Sequence, residues 1–334
     1  MVNVKTKSIS PEVLGTDTEP GPIFQDEKWL EYRKKWDEYP QQGIVGKVPL
    51  QIDLFAVDIC NLKCPMCPRQ DFIPGKGYMD FSLVKKILDQ AAEYGLCAFN
   101  FGGLGEPTLY PHLFEVIRYA KAKGIVDVNM HTNGTRLNPD FNHQLIESGL
   151  DRIIISLDSA DKEKYERIRI GAKFEKVYEA VEDLIRQRNE NPKTRLHIKA
   201  NFIDMDEADP TEKNKFITYW ESKANRIGIL RYLDCSGGGE RLQHKENYKQ
   251  DLDYCCPELW RRLVIWSDGL ATICYRDIQK HFVVGDVTRQ TITGVWTGEK
   301  MQNLRDLHGR GCFRNLDICS DCSNSYEPKG FIDA

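Results

Sequence analysis

The chain has 334 residues, with 46 Lys and Arg against 50 Asp and Glu, so its formal net charge at pH 7 is −4. This length can build one large domain and a smaller one, and the nearly balanced charge argues against a nucleic-acid surface or binding to acidic membranes. No N-terminal apolar run follows basic residues, and no window approaches the roughly 20 apolar residues of a membrane span, so we predict a cytoplasmic protein with a small-molecule partner. Its 11 cysteines favour metal or redox chemistry over a disulfide framework.

Residues 1–48 are predicted to form an N-terminal arm and one short helix. The first 22 residues are polar and show no periodicity. Trp29, Tyr32 and Trp36 follow at helical spacing, which predicts a helix that packs an aromatic face on the body of the protein. We interpret these aromatic residues as packing groups and not as a ligand platform.

Residues 49–236 alternate between apolar strand patterns and helical stripes. The strand patterns lie at 50–58, 97–101, 125–131, 151–157, 195–203 and 227–233. The helical stripes lie at 83–91, 113–123, 141–148 and 174–188, with Tyr165 in a further helix. Strands that alternate with helices of this length predict an α/β fold with a parallel sheet. In parallel α/β barrels the chemistry lies at the carboxyl ends of the strands.

The loop after the first strand contains Cys60, Cys64 and Cys67 within eight residues. Closely spaced thiols in a short loop can bind one iron–sulfur cluster together. A four-iron cluster normally takes four ligands, so a loop with three leaves one iron open to another molecule. Half of a structural zinc site and part of a ferredoxin-like module are the alternatives.

Polar residues follow the next strands at the same end of the predicted sheet. Gly103 and Gly105 allow close approach of the backbone, and Glu106 can accept a hydrogen bond from an ammonium group. Arg167 or Arg169 can pair with a carboxylate through two hydrogen bonds. Each of these positions is also common in ordinary turns, but their occurrence at consecutive strand ends strengthens the set. Its further members are Asn133, Ser156 and Asp158.

Residues 237–334 have a different pattern and a second group of cysteines. The strand and helix alternation ends after Gly237–Gly239, and Asp268-Gly269 between two apolar runs predicts a hairpin. A helix is predicted from Trp296 to Leu307. The cysteines of this part are Cys255, Cys256, Cys274, Cys312, Cys319 and Cys322.

The first cysteine loop resembles that of the radical S-adenosylmethionine (SAM) superfamily. The resemblance implies a partial (β/α)6 TIM-like barrel over residues 49–236 and a [4Fe-4S] cluster whose unique iron is chelated by the amino and carboxylate groups of SAM. Within the family, Phe101 to Pro107 resembles the motif that holds the SAM amino group, with Leu104 as a departure. The cofactor-binding residues that the resemblance implies are Met66, Gly103, Gly105, Glu106, Asn133, Ser156, Asp158 and Arg169.

The second cysteine group resembles the shortened SPASM domain called twitch. The resemblance implies one auxiliary [4Fe-4S] cluster with Cys256, Cys274, Cys319 and Cys322 as ligands. Cys255 competes with Cys256 for one ligand position, and Cys312 does not fit the spacing of the longer pattern. A zinc site on the same four thiols is the alternative.

Together the resemblances imply reductive cleavage of SAM to a 5'-deoxyadenosyl radical, driven by an external one-electron reductant of the flavodoxin or ferredoxin type. The cysteine pattern is similar to that of 2-deoxy-scyllo-inosamine dehydrogenase, which predicts dehydrogenation or epimerisation of a small hydroxylated substrate such as a sugar or aminocyclitol. Cys235, at the end of the sixth predicted strand, is the candidate hydrogen donor for epimerisation, and a plain loop cysteine is the alternative reading. The other hypotheses are modification of a ribosomal peptide and a non-catalytic iron–sulfur or zinc protein. Fewer than 60 residues precede Cys60, which we interpret as too few for both a leader-binding domain and a first strand.

Overall fold

Six parallel strands and the helices between them form the body of the molecule. The computed structural model describes residues 22–71, 77–205, 210–234, 241–242 and 248–328. The six parallel strands are β1 (Gln51–Phe55), β2 (Ala98–Phe101), β3 (Asp127–Thr132), β4 (Arg152–Ser156), β5 (His197–Asp204) and β6 (Arg226–Arg231). The further strands are β7 (Leu233–Asp234), β8 (Arg241–Leu242), β9 (Tyr248–Gln250), β10 (Arg262–Trp266), β11 (Leu270–Thr272), β12 (Val283–Asp286) and β13 (Tyr326–Pro328).

In the described part of the chain, ten α-helices connect or flank these strands. They are α1 (Glu27–Gln42), α2 (Phe81–Glu93), α3 (Leu113–Ala122), α4 (Pro139–Glu147), α5 (Lys162–Ile168), α6 (Phe174–Glu190), α7 (Pro210–Trp220), α8 (Ile292–Trp296), α9 (Glu299–Gly309) and α10 (Asp317–Ser320). Short 3-10 helices lie at Pro22–Gln25, Pro68–Asp71, Pro107–Leu109, Pro257–Trp260, Phe313–Asn315 and Ser323–Ser325. Among the described residues, no helix is both long and apolar enough to cross a lipid bilayer.

The main sheet is open and has the order β12-β11-β10-β1-β2-β3-β4-β5-β6. The six strands from β1 to β6 pair in parallel, which confirms the predicted α/β class with a partial barrel. The predicted hairpin is also present, since β10 and β11 pair antiparallel. The C-terminal cysteine-rich part joins the barrel directly, because β10 lies parallel to β1. The sheet therefore continues across the boundary that we predicted at residue 237.

The strands carry apolar side chains on one face and polar side chains on the other, because side chains alternate along a strand. On β1, Ile52 and Leu54 are fully buried in the main core, where helices cover them. Gln51 and Asp53, on the opposite face, hydrogen-bond to each other at 2.6 Å. The interior of the partial barrel is therefore polar, whereas the layer between strands and helices is apolar.

Helix α2 shows how the local sequence sets an element. Asp80 caps its N-terminus by accepting a hydrogen bond from the Ser82 amide at 2.7 Å. Val84, Ile87 and Ala91 lie on one face and are buried, and burying each large aliphatic side chain contributes about 1.5–3 kcal/mol. Gly95 follows the helix with a φ of +85°, the left-handed conformation that ends many helices.

Two helical regions differ from the sequence prediction. Most of the helix predicted from Trp296 to Leu307 is present as α9, but a break at residues 297–298 separates α9, which begins at Glu299, from α8, which ends at Trp296. Gly298 caps the second helix, and a Cβ at this position would lie 2.6 Å from the Gly294 carbonyl oxygen. Helix α7 was not predicted, and its apolar stripe is thin.

Helix α1 is longer than predicted and lies at the amino end of the barrel. Asp26 caps it by accepting hydrogen bonds from the amides of Lys28 and Trp29. Tyr32 and Trp36 are buried against the sheet, and the Arg261 guanidinium donates to the Trp36 carbonyl at 2.6 Å. The aromatic face of this helix therefore packs against the body of the protein.

Candidate active site

The cysteine loop after β1 is held at the carboxyl end of the barrel by backbone hydrogen bonds. The Asp58 amide donates to the Gly77 carbonyl at 2.9 Å, and the Glu106 amide donates to the Ile59 carbonyl at 2.8 Å. Arg69 donates two hydrogen bonds to the Asp58 carbonyl, at 3.2 and 2.8 Å. These contacts fix the loop against the end of the second strand.

The three predicted cysteines of this loop open on one cavity of about 490 Å³. Its lining includes Cys60, Cys64, Met66, Cys67, Gly103, Gly105, Glu106, Asn133, Ser156 and Arg169. Within the cysteine loop, the Cys67 amide also donates to the Cys64 carbonyl at 3.1 Å. The structure thus brings together most of the residues that the sequence predicted for this site.

Two glycines shape the wall of the cavity. Gly103 has a φ of +123°, and a Cβ there would lie 2.6 Å from the Phe55 ring. A Cβ on Gly105 would lie 2.0 Å from the Val57 carbonyl oxygen, a backbone atom that has little room to move. The close approach of these two strand ends therefore requires glycine at both positions.

Glu106 is buried and its carboxylate is held by four hydrogen bonds. Oε1 accepts from the Thr108 amide at 3.1 Å, the Thr108 hydroxyl at 2.6 Å and the Thr132 hydroxyl at 2.7 Å. Oε2 accepts from the Asn133 amide at 2.8 Å. A carboxylate oxygen has about two lone-pair sites, so Oε2 retains capacity for one further donor. The group is a fixed anion at the cavity wall, suited to an ammonium ligand.

Asn133 joins the end of β3 to the cysteine loop. Its Nδ2 donates to Asn61 Oδ1 at 3.0 Å and lies 3.8 Å from the Cys60 sulfur. Its Oδ1 accepts from the Thr135 amide at 3.0 Å. The side chain therefore holds the loop in position and also faces the cavity.

Arg169 is the arginine that lines the cavity, whereas Arg167 is exposed. Arg169 Nη1 donates to the Cys64 sulfur at 3.6 Å, and the Arg169 guanidinium forms an ion pair with Asp158. Asp158 has a φ of +63° and does not line the cavity. Its Oδ1 accepts from the Ile203 amide at 2.9 Å, so Asp158 orients Arg169 from behind.

The donor set of the loop fits an iron–sulfur cluster. Burial raises the pKa of Cys60, Cys64 and Cys67, so these thiols favour the neutral form by themselves. Iron deprotonates a coordinating thiol outright, and three thiols from one loop that line one cavity are the ligand type that such clusters use. The fixed carboxylate of Glu106 and the guanidinium of Arg169 on the same cavity fit the amino and carboxylate groups of SAM.

The C-terminal thiols form a second site. The pKa of Cys256 is raised by burial and by nearby Cys322 and Cys274. Burial also raises the pKa of Cys319, with added effects from the other three thiols. The four predicted ligands therefore lie close enough to interact. Among the described residues, no three Cys, His, Asp or Glu side chains converge as tightly as ligands of a single metal ion.

Arg276 lies beside this second site. Its Nη1 donates to the Cys322 sulfur at 3.4 Å and to the Ser323 hydroxyl at 2.7 Å. The Arg276 amide also donates to the Cys274 sulfur at 3.4 Å. Hydrogen bonds to cysteine sulfurs tune the potential of iron–sulfur clusters.

Cys255 and Cys312 are not among the four predicted ligands. Burial alone raises the pKa of Cys255 to about 12, and this thiol is buried in the main core. Cys312 Sγ contacts the Arg310 carbonyl at 3.7 Å. Cys235, the predicted hydrogen donor, lies outside the described residues.

Sequence reasoning missed several residues at this end of the barrel. Arg69 ties the cysteine loop to its own base through the Asp58 carbonyl. His131 lines the cavity, and Lys199 lies in the same row of the sheet. For His131 and Lys199 a sequence signal did exist. Both are polar residues at alternate positions of strands that were expected to be buried, and such residues mark the face of the sheet turned away from the helices.

Comparison with known families gives two matches. The family model of the radical SAM superfamily matches residues 55–198. The model of the SPASM iron–sulfur cluster-binding domain matches residues 255–323. The first match contains the cysteine loop after β1, and the second contains the C-terminal cysteines.

Two curated relatives share part of the chain. A cofactor-modifying protein for tungsten-containing aldehyde ferredoxin oxidoreductase from Pyrococcus furiosus is 39% identical over 100 residues, which are 30% of this chain and 28% of the relative. A probable GTP 3',8-cyclase from Methanococcus maripaludis is 35% identical over 160 residues, 47% of this chain and 51% of the relative. The chain thus spans about half or less of the length of these relatives.

Two solved structures share the fold. BtrN in complex with AdoMet and 2-DOIA superposes with a TM-score of 0.58 at 18% identity, over 84% of this chain and 95% of BtrN. SuiB of Streptococcus suis bound to the precursor peptide SuiA gives a TM-score of 0.62 at 15% identity, over 83% of this chain and 71% of SuiB. At this identity the likeness shows a common fold.

Proposed function

The chain belongs to the radical SAM superfamily and carries a SPASM-type iron–sulfur domain, and on this premise we propose that it is an oxidoreductase acting on a small hydroxylated molecule. Its radical SAM domain implies a [4Fe-4S] cluster and SAM, and its SPASM domain implies auxiliary iron–sulfur chemistry. More specifically, we propose that it abstracts hydrogen from a sugar, cyclitol or related substrate and that dehydrogenation or epimerisation follows.

One observation carries the proposal: Cys60, Cys64 and Cys67 open on the same cavity as Glu106 and Arg169. The three thiols would hold the cluster, the Glu106 carboxylate would accept hydrogen bonds from the SAM ammonium, and Arg169 would bind its carboxylate. When bound, these groups supply one-electron reductive cleavage of SAM and a 5'-deoxyadenosyl radical that abstracts hydrogen.

The chain itself would position and shield this chemistry. The glycine pair keeps the second strand end close to the loop, and Asn133 ties the loop to β3. The buried ion pair of Arg169 with Asp158 holds the guanidinium in one orientation, which reduces the ordering needed when a ligand binds.

The C-terminal thiols support the oxidative version of the proposal. Dehydrogenation of a carbinol carbon removes two electrons, and the radical abstraction accounts for one of them. A cluster held by Cys256, Cys274, Cys319 and Cys322 would accept the second. We propose a single auxiliary cluster, since Cys255 packs in the core and Cys312 contacts its own loop.

The substrate class is supported by one of the structural neighbours, BtrN, which aligns with 84% of this chain. BtrN is 95% covered by the match, and its structure contains AdoMet and 2-DOIA. The interior of the present barrel is also polar, with Asp53, Asn100 and Asn129 on its inner face. A polar interior suits a hydroxylated molecule, because polar groups need hydrogen-bond partners when they leave water.

Peptide modification is the second candidate function. SuiB bound to its precursor peptide is similar to this chain in fold. This candidate would gain support if a separate leader-binding protein co-purified with the chain and if peptides stimulated release of 5'-deoxyadenosine.

The test of the proposed function is anaerobic reconstitution of the full chain followed by iron and sulfide counting and a SAM cleavage assay. We expect about eight irons per chain, falling to about four in a Cys60/Cys64/Cys67 triple-alanine variant, because each cluster holds four. Wild type with dithionite or reduced flavodoxin should release 5'-deoxyadenosine, and the triple variant should not. Absence of cluster formation or of SAM cleavage in wild type would sink the proposal and favour a non-catalytic protein.

A variant of Cys235 can distinguish epimerisation from dehydrogenation. Epimerisation needs a hydrogen donor for the substrate radical, whereas dehydrogenation does not. A Cys235→Ala variant that turns over substrate at the wild-type rate would remove the epimerase version. A variant that cleaves SAM but accumulates unquenched substrate radical would support it.

A further inference from the structure

Two cations in the barrel interior have no anionic partner among the described residues. Lys199 on β5 pairs in register with Arg226 on β6 and with Ile154 on β4. Ile154 pairs in turn with His131 on β3. In-register residues of parallel strands face the same side of a sheet, so this row shares the inner face with His131, which lines the active-site cavity.

The other interior arginines are neutralised. Arg152 donates to both carboxylate oxygens of Asp127, at 2.8 and 2.5 Å. Arg262 donates to Asp53 at 3.2 Å and also pairs with Glu258. These carboxylates are therefore already occupied, and none of them is paired with Lys199 or Arg226.

Unlike Arg152 and Arg262, Lys199 and Arg226 have no carboxylate partner among the described residues. In the described part of the chain, no ion pair or hydrogen bond is formed by the Lys199 ammonium, and the buried Nε of Arg226 has no hydrogen-bond partner. One row nearer the cysteine loop, Asn201 is buried and its Oδ1 also has no partner. Unpaired buried polar groups cost free energy, so a ligand that satisfies them gains binding energy.

The side chain of Lys199 extends towards the cavity. Gly228 follows Arg226 by two positions on β6 and pairs with Asn201. A Cβ at Gly228 would lie 2.4 Å from Lys199 Cε and 2.7 Å from its Nζ. The ammonium therefore lies at the level of the next row, which contains Asn201 and the cavity-lining Ser156. Because Gly228 has no side chain, Lys199 has room to extend in this direction.

The charges act on one another across the interior. Burial, followed by the cations Arg226 and Arg152, lowers the pKa of Lys199 to about 8. The two neighbouring cations therefore act against the protonated form of Lys199.

We infer that Lys199 and Arg226 bind an anionic group, a carboxylate or a phosphate, on the molecule that reacts in the barrel. This inference rests on the proposed function and narrows its substrate to a hydroxylated acid or a phosphate ester. An ammonium group near this row meets repulsion, so an aminocyclitol does not fit it. A guanidinium and an ammonium side by side are the donors that bind carboxylate and phosphate groups in proteins.

The test uses pyridoxal 5'-phosphate as the probe on the full chain, reconstituted anaerobically with clusters and SAM. Its aldehyde condenses with a neutral amine and releases water. Borohydride then delivers hydride to the imine carbon, and a proton from water completes a stable secondary amine. Peptide mapping gives the ratio of labelling at Lys199 to that at exposed Lys193.

We expect this ratio to be at least about tenfold higher for pyridoxal 5'-phosphate than for pyridoxal, because charge-assisted hydrogen bonds select the phosphate. Arg226→Met should remove the preference and Arg226→Lys should keep most of it. Arg289→Met, at an exposed arginine, should leave it unchanged. Inorganic phosphate and acetate then compete with the probe, and the one that protects at lower concentration identifies the phosphate or the carboxylate as the preferred group.

Equal ratios for the two probes would overturn the inference, as would an unchanged preference in Arg226→Met or protection by neither competitor. SAM cleavage is measured on the same preparations. If 5'-deoxyadenosine forms but labelling shows no preference, the anion site fails and the proposed function stands. If labelling shows the preference but SAM is not cleaved, the proposed function fails and the anion site stands.

Discussion

A buried hydrogen bond joins Thr132 at the end of β3 to Glu106 at the end of β2, with Thr132 Oγ1 donating to Glu106 Oε1 at 2.7 Å. The two residues lie 26 positions apart in the chain, so the bond locks two neighbouring strand ends together. It also fixes the carboxylate that faces the cavity.

Replacing Thr132 by Val should weaken SAM binding. The variant keeps the shape of the side chain but removes one of the four donors to Glu106, which lets the carboxylate reorient. Equilibrium dialysis with labelled SAM should show a Kd about 5- to 10-fold higher, equivalent to the roughly 1–1.5 kcal/mol of one hydrogen bond. Thr132→Ser retains the hydroxyl and should bind SAM nearly as wild type does. Equal Kd values for the Val and Ser variants would contradict this role.

Replacing Gly105 by Ala should destabilise the protein, whereas Gly102→Ala should not. The added Cβ at Gly105 lies 2.0 Å from the Val57 carbonyl oxygen, and that at Gly102 comes no closer than 3.5 Å to the Asn100 side chain. We expect urea unfolding to give a loss of at least about 1–3 kcal/mol for Gly105→Ala. Gly102→Ala should change the free energy of unfolding by less than about 1 kcal/mol. Similar losses for both variants would show that the backbone approach is not the cause.

Iron counting should separate the C-terminal cysteines. Cys256→Ala should lose about four of about eight irons, because it removes a ligand of one cluster. Cys255→Ala and Cys312→Ala should keep all of them, since these thiols lie in the core and against the Arg310 carbonyl. Loss of iron in Cys255→Ala with retention in Cys256→Ala would reverse the proposed ligand assignment.

The stability of the protein should depend on His197 in acid. Burial, with the nearby charges of Arg152 and Arg226, lowers the pKa of His197 to about 3, below the unfolded value near 6.5. Between these values the unfolded chain binds more protons than the folded chain. The free energy of unfolding therefore falls as pH drops through this window, by at most about 1.4 kcal/mol per pH unit from this group.

This pH dependence is measured by urea unfolding between pH 7 and the onset of acid denaturation. His197→Gln should have a shallower slope than wild type in that range, because the variant has no imidazole to protonate. His143→Gln, at an exposed histidine, should follow the wild-type slope. An identical slope in His197→Gln and wild type would refute the assignment.

Asp158→Asn should destabilise the protein strongly, because it leaves the buried Arg169 guanidinium without its ion-pair partner. Breaking a buried pair costs about 3–5 kcal/mol, and asparagine tolerates the positive φ at this position, so backbone strain does not contribute. Glu175→Gln removes the exposed pair with Lys162 and should cost no more than about 1 kcal/mol. Chemical denaturation checks both values, and similar losses for the two variants would contradict the orienting role of Asp158.

Much of this site follows from local sequence. The six strand patterns and the cysteine loop were predicted because side-chain periodicity and motif spacing depend on neighbouring residues in the chain. The positions of Glu106, Asn133 and Ser156 on one cavity followed from the rule that parallel strands bring their carboxyl ends to one edge. Helix α7 was missed because only Phe216 and Trp220 mark its apolar face.

The sequence by itself determined the barrel units, the two cysteine groups and the glycines and carboxylate that close the cavity, since each depends on short-range spacing. Only the tertiary structure decided that β10 lies beside β1 and that Cys256, and not Cys255, faces the other C-terminal thiols. It also decided that Lys199 and Arg226 lie side by side without a described counter-charge. These outcomes depend on contacts between segments far apart in the chain, and no local pattern encodes those contacts.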